Sequence, residues 1–163
     1  MIDSAINLIV YDFDGVMTDN RAILDQTGAE SVIIHRGDGY GVRMIKDNLH
    51  ISQIILSTEE NPIVANRAEK LHIPVIHGVQ DKKTVLEEYC EHHGISLENV
   101  LYVGNDLNDY EAMKLCGITL CPADAEPEIL NYASTIIPVK GGAGVIRYLY
   151  RMLSDRDNEA SDT

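Results

Sequence analysis

Three absences narrow what this chain can be. Its cysteines, Cys90, Cys116 and Cys121, are odd in number and none stands in a Cys-x-x-Cys pair, which argues against a disulfide framework and a zinc site and reads as buried thiols. No apolar run approaches the roughly 18 residues that a membrane-spanning helix needs, and the N-terminus has neither the basic start nor the cleavage site of a secretory signal. The expectation is a cytoplasmic protein. Basic charge is also scarce: 13 Lys and Arg face 26 Asp and Glu, for a formal net charge of -13. Such a field repels phosphate backbones and anionic lipid, so neither nucleic acid nor a membrane is expected as a partner. An anionic substrate would need a locally basic pocket or a bound cation.

What is present is an alternating pattern. The 163 residues, 45% of them apolar, suffice for one sizeable core, and one domain over residues 1–153 is expected. Short runs rich in Ile, Val and Leu at 6–11, 51–57, 74–77, 100–104, 118–121 and 135–137 alternate with segments of helical period. That is the pattern of an α/β three-layer sandwich, a parallel sheet covered by helices on both faces. Asn61 followed by Pro62 starts one helix; Asp81 starts another that runs from Lys82 to about His93 and stops at Gly94. A last helix is expected over 144–153, with a polar, unordered tail over 154–163. Residues 19–35 break the alternation and read as a hairpin turning at Asp25-Gln26-Thr27-Gly28. Val32-Ile33-Ile34 puts apolar bulk on both faces of its second arm, so either another subunit covers one face or the hairpin folds back on its own core.

Four separated pieces fall just after strands or at a helix start: Asp12 with Asp14, Ser57, Lys82, and the stretch from Asn105 to Asp109. In an open parallel sheet the C-terminal strand ends share one edge, which is where ligands bind. Phosphoryl transfer needs a nucleophile, a cation and donors aimed at the transferred oxygens. Asp12 is the candidate nucleophile, Asp14 the candidate acid and base, and Ser57 and Lys82 the candidate phosphate donors. Magnesium is the expected cation, because the available ligands are oxygens. The competing readings are plain: an acidic surface pair, a strand-end serine, a first-turn lysine, and Asn105, Asp106 and Asp109 as caps of the next helix. The six histidines show no metal-ligand spacing, and Gly141-Gly142-x-Gly144 reads equally as an anion cradle or a glycine turn.

Taken together, Asp-x-Asp-Gly-Val-x-Thr-Asp after an apolar strand, then Ser57, Lys82 and Gly104-Asn105-Asp106-Leu107-Asn108-Asp109, resembles the four motifs of the haloacid dehalogenase superfamily of phosphatases, in order and over nearly the whole chain. The resemblance implies a Rossmann-like fold, Mg2+, an aspartyl-phosphate on Asp12, and a metal held by Asp12, Asp14 through its backbone carbonyl, and the residue at Asn105, with Asp106 and Asp109 behind them. Thr58 would join Ser57 and Lys82 at the phosphate. Only a short hairpin stands where most members insert a cap domain. With Arg36-Gly37-Asp38-Gly39-Tyr40-Gly41 and the late glycines, it resembles the capless branch that dephosphorylates 3-deoxy-2-ulosonic acids, typically as homotetramers in which neighbouring hairpins close each site.

The chain departs from that branch twice. Ser57-Thr58-Glu59 stands where the octulosonate 8-phosphate enzymes usually read Thr-Gly-Arg, and Glu59 is more similar to the nonulosonate 9-phosphate enzymes. Arg67 and Lys70, three apart on one helical face, would then meet the substrate carboxylate or simply lie in solvent. Asn105 stands where active relatives usually carry a metal-binding Asp, which removes one charge from the shell. Two other functions compete. A receiver domain also gathers acids, a hydroxyl and a lysine, but carries its phosphoacceptor after the third strand. A weakly active or inactive tetramerisation partner of a sialate-type cytidylyltransferase is the reading that Asn105 favours.

Overall fold

A computed structural model describes residues 5–161, with side chains through residue 156. The apolar runs become strands: β1 (Leu8–Tyr11), then β2 (Thr18–Leu24) and β3 (Glu30–Ile34), then β4 (Ser52–Leu56), β5 (Val75–Ile76), β6 (Val100–Val103), β7 (Ile118–Pro122) and β8 (Thr135–Ile137). Six of them form one parallel sheet in the order β5-β4-β1-β6-β7-β8, and β2 pairs only with β3. Strand order therefore reverses at β1, whose Tyr11 is level with Ile55 on one side and Val103 on the other. The crevice this creates lies just beyond Tyr11, at Asp12.

Helices cover both faces: α1 (Arg36–Met44), α2 (Ile63–Leu71), α3 (Lys82–His93), α4 (Leu107–Met113), α5 (Pro127–Tyr132) and α6 (Val145–Ser161). Successive side chains of β1 point to opposite layers. Ile9 and Tyr11 pack with α1, α2 and α6, whereas Leu8 and Val10 pack with α3, α4 and α5. Burying each such Leu, Ile or Val contributes roughly 1.5–3 kcal/mol, so the strand that delivers Asp12 is firmly anchored. The caps follow the chemistry of their residues. Asp81 accepts from Thr84 N at 3.1 Å, Asn61 accepts from Ile63 N at 3.0 Å, and Gly94 ends α3 at φ 64°.

Two expectations change. The tail expected to be unordered from residue 154 instead continues α6 to Ser161, because extending a helix whose first turns are packed costs little; residues 162–163 lie outside the described residues. The hairpin is divided between its two readings: Val32 and Ile34 pack on the core, while Ile23, Leu24 and Ile33 remain 59–66% exposed. No helix among the described residues is long and apolar enough to cross a membrane.

Asp38 ties α1 to α6. Its Oδ1 accepts from Ile146 N at 3.0 Å and Arg147 N at 3.1 Å, while its buried Oδ2 has no partner. Burial raises its carboxyl above the ordinary range, against the pull of those amides. Asp38→Ala should cost about 2–3 kcal/mol in denaturant unfolding, the scale of hydrogen bonds to a charged acceptor. Asp38→Asn keeps an acceptor and should cost less. A raised carboxyl binds its proton more tightly when folded, so its ionisation weakens the fold as pH rises through the folded pKa. Wild type should therefore gain on Asp38→Asn as pH is lowered from neutral, and a constant difference between the two would refute this.

Candidate active site

Asp12 leaves β1 with its amide bonded to Val103 O at 3.0 Å, which holds its buried carboxylate at the sheet edge. The first residue of α3 meets it there. Lys82 Nζ donates to Asp12 Oδ1 at 2.8 Å and to Asp109 Oδ1 at 2.8 Å, with the lysine side chain 1% exposed. Phe13 N donates to the same Asp12 oxygen at 2.8 Å. Asp109 is saturated: Tyr102 Oη donates to its Oδ1 at 2.8 Å, and Asn105 N donates to its Oδ2 at 2.9 Å. Asp106 caps α4, accepting from Leu107 N at 2.6 Å.

One ammonium thus serves two buried carboxylates, and the charge does not balance. Burial first, then Asp109, pushes Asp12 up to about 7 in spite of Lys82. Burial opposes the charge on Lys82, yet the two carboxylates hold it above its usual range. A site with this deficit favours a cation. The donors for one are present: the Asn105 side-chain amide reaches both Asp12 Oδ2 and Asp14 O, 2.9 Å from each. Those two oxygens and the Asn105 carbonyl are the hard ligands that suit magnesium. Among the described residues, no three His, Cys, Asp or Glu side chains gather at one point, so a cation here depends on the backbone and amide oxygens as well.

Asp14 sits beside this cluster with its carboxyl raised, chiefly by burial, against a 3.2 Å hydrogen bond donated by Thr18 Oγ1. A raised carboxyl is suited to giving up a proton and then taking one back. Asp14 opens into a cavity of about 200 Å³ lined also by Phe13, Asn20, Arg21, Glu30 and Glu59. Ser57, 2% exposed, accepts from Glu59 N at 3.1 Å and keeps its hydroxyl proton free to donate; Thr58 Oγ1 accepts from Asn108 at 3.2 Å. Glu59 is therefore brought to Asp14, but Arg67 and Lys70 are not. They line a second groove of about 990 Å³ with Arg36, Tyr40, Arg43 and Lys46, and no residue lines both cavities.

The late glycines brace the site, and the first two spend their amides within the protein. Gly141 N donates to Asp124 Oδ1 at 2.8 Å and Gly142 N to Val16 O at 3.1 Å. A Cβ on Gly141 would lie 2.0 Å from Gly15 O, so only glycine lets this loop press on the turn that carries Asp14. Sequence reasoning missed Tyr102, Thr18 and Asn108. Tyr102 had one signal, a lone hydroxyl in a strand that is otherwise aliphatic. Thr18 and Asn108 both stood inside the quoted motifs, but neither was given a role.

Fold and site together define an α/β phosphatase. A family model described as haloacid dehalogenase-like hydrolase matches residues 10–149, and the chain belongs to that family. It is 30% identical over 150 residues to a 3-deoxy-D-manno-octulosonate 8-phosphate phosphatase, KdsC, of Salmonella typhi, covering 91% of this chain and 79% of that one. Among solved structures, one assigned to the HAD hydrolases of Streptomyces avermitilis superposes with a TM-score of 0.86 at 44% identity, covering 88% of this chain and 82% of that one. The 3-deoxy-D-manno-octulosonate 8-phosphate phosphatase of Moraxella catarrhalis, solved with magnesium, phosphate and KDO, superposes with a TM-score of 0.87 at 27% identity, covering 92% and 86%.

Proposed function

We propose that the chain is a magnesium-dependent phosphomonoesterase acting on a phosphorylated 3-deoxy-2-ulosonic acid in the cytoplasm. The observation that carries this is the buried Lys82 ammonium shared by Asp12 and Asp109, with the raised Asp14 carboxyl beside it. Asp12 attacks phosphorus and the ester C–O–P linkage breaks at the P–O bond; Asp14 protonates the departing alkoxide. Asp14, now ionised, takes a proton from water, whose oxygen attacks the aspartyl-phosphate and frees inorganic phosphate and Asp12. Lys82 and the Ser57 hydroxyl, with Thr58, hold the phosphoryl oxygens. Asp12, the Asp14 carbonyl and Asn105 would hold magnesium, which when bound would supply the positive charge that lets a carboxylate approach an anionic phosphate.

The named relatives favour 3-deoxy-octulosonate 8-phosphate as the substrate. Glu59, which lines the Asp14 cavity where the octulosonate enzymes usually carry Arg, favours a nonulosonate 9-phosphate. Arg67 and Lys70 occupy a different cavity of the same chain, so they serve a substrate carboxylate only across an interface. The exposed Ile23, Leu24 and Ile33, with Asp25 and Glu30 nearby, complement the basic groove around Arg36, Arg43 and Arg67 in both polarity and charge. This supports a homotetramer in which a hairpin from one copy reaches its neighbour.

Phosphate release should be seen with one of the two ulosonate phosphates in magnesium and not in EDTA. No release above the EDTA control with either would favour the second reading, a tetramerisation partner of a sialate-type cytidylyltransferase, for which Asn105 is the specific argument. Ile33→Glu should shift the sedimenting species to monomer and lower turnover. A monomeric wild type at micromolar concentration would exclude the shared site.

A further inference from the structure

The Thr18 hydroxyl has no choice in how it uses its proton. A hydroxyl carries one hydrogen and two lone pairs, and here both lone pairs are taken: Thr18 Oγ1 accepts from Gly15 N at 3.2 Å and from Asn20 N at 3.1 Å. Its single hydrogen is donated to the remaining neighbour, Asp14 Oδ1, at 3.2 Å. Asn20 makes its bond from φ 66°, a left-handed backbone that asparagine tolerates better than most side chains. The residue itself is pinned. Thr18 N donates to Phe13 O at 3.2 Å, one position after Asp12, and Thr18 opens β2 level with Ile34. The glycine loop closes on its backbone: a Cβ on Gly141 would lie 3.0 Å from Thr18 O, and one on Gly142 would lie 2.7 Å from the Thr18 carbonyl carbon. Thr18 is fully buried, although its partners Phe13, Asp14 and Asn20 all line the Asp14 cavity.

From this geometry we infer that Thr18 is a positioning residue for the acid and base steps: it holds Asp14 by Oδ1 and so assigns the travelling proton to Oδ2. Among the described residues, no other protein group donates a hydrogen bond to that carboxyl. A protonated carboxyl has one carbonyl oxygen, the better acceptor, and one hydroxyl oxygen. The Thr18 hydrogen selects Oδ1 as the carbonyl oxygen, which leaves the acidic hydrogen on Oδ2. As the ester P–O bond breaks, Oδ2 gives that hydrogen to the departing alkoxide; Oδ2 then takes a hydrogen from the water whose oxygen attacks the aspartyl-phosphate. Oδ1 accepts from Thr18 in both states, so the carboxyl gives and regains its proton at one atom without turning. A hydroxyl that only closed the turn would need its two accepted bonds and no third. The inference rests on the reading of Asp14 as the acid and base, and it adds the residue that aims it.

The test measures kcat/KM of wild type, Thr18→Val, Thr18→Ser and Asp14→Asn on two esters. One is the ulosonate phosphate that the wild type hydrolyses, and the other is para-nitrophenyl phosphate, whose phenolate departs without a proton. This ratio reports the steps up to release of the first product, where the acid acts. Asp14→Asn should lose at least about 100-fold on the ulosonate ester. Thr18→Val keeps the shape and removes the hydroxyl, and should lose about 10- to 100-fold on that ester, in kcat rather than KM, with little loss on the aryl ester. Thr18→Ser keeps the hydroxyl and should restore most of the loss. Valine also leaves the Gly15 and Asn20 amides without their acceptor, so Thr18→Val should melt below wild type. The ratio between the two esters is unaffected by such a loss, because both are read on the same folded enzyme. Equal losses on both esters, or an unchanged ulosonate kcat/KM in Thr18→Val, overturn the aiming role while leaving Asp14 as the acid. An Asp14→Asn variant that spares the ulosonate ester removes Asp14 as the acid, and the role of Thr18 with it. A wild type that releases phosphate from neither ester overturns the reading of the whole site.

Discussion

Replacing Asp12 with asparagine should abolish turnover and leave a folded protein. The amide is isosteric with the carboxylate and retains an acceptor oxygen for Lys82 Nζ and Phe13 N, both 2.8 Å from Asp12 Oδ1 in the wild type. The backbone bond from residue 12 to Val103 O does not depend on the side chain. What is lost is nucleophilicity, since a neutral amide does not form an acyl-phosphate under these conditions. Loss of a nucleophile reduces rates by orders of magnitude, so phosphate release should fall by at least ~10³-fold. The fold should not suffer, because burial and Asp109 already penalise the Asp12 charge and raise its carboxyl to about 7. Circular dichroism and melting in EDTA should match or exceed the wild type. Turnover within about tenfold of wild type would remove Asp12 from the chemistry and send the search for a nucleophile elsewhere in the Asp14 cavity.

The central strands β1, β4, β6 and β7 were legible because they are buried on both faces, which leaves runs rich in Ile, Val and Leu. Their observed ends fall within two residues of those read from the chain. Asp12, Asp14, Ser57 and Lys82 were legible for a related reason: topology sends the ends of β1 and β4 and the start of α3 to one edge. The less legible features depend on long-range partners. Asp38 lies in a glycine-rich stretch whose sequence carries no hint of Ile146, 108 positions away, whose amide it accepts. Arg67 and Lys70 were rightly placed on one helix face, but helical spacing cannot say which cavity that face lines. In Val32-Ile33-Ile34, the run correctly announced bulk on both faces, and only the structure shows that Ile33 alone of the three lies outside.

Substituting Lys82 by methionine should affect stability as much as activity, and the two effects can be separated. The lysine side chain is 1% exposed, and its charge is the shared counterion of Asp12 and Asp109, which are 6% and 0% exposed at their side chains. Methionine fills a similar volume but leaves two carboxylates facing one another in a dry site. Breaking a buried ion pair from one side typically costs about 3–5 kcal/mol, because the stranded charge has no compensation. A loss of that size should appear as a lower denaturant midpoint and could by itself explain an inactive enzyme. The double variant Lys82→Met, Asp109→Asn resolves this. Removing one stranded carboxylate should recover part of the stability, since the two sites are in direct contact and their effects are not additive. It should recover no turnover, because the ammonium that steadies the transferred phosphoryl group is still missing. If the double variant regained both stability and turnover, Lys82 would be a structural counterion only, and donors at Ser57 and Thr58 would have to hold the phosphate without it.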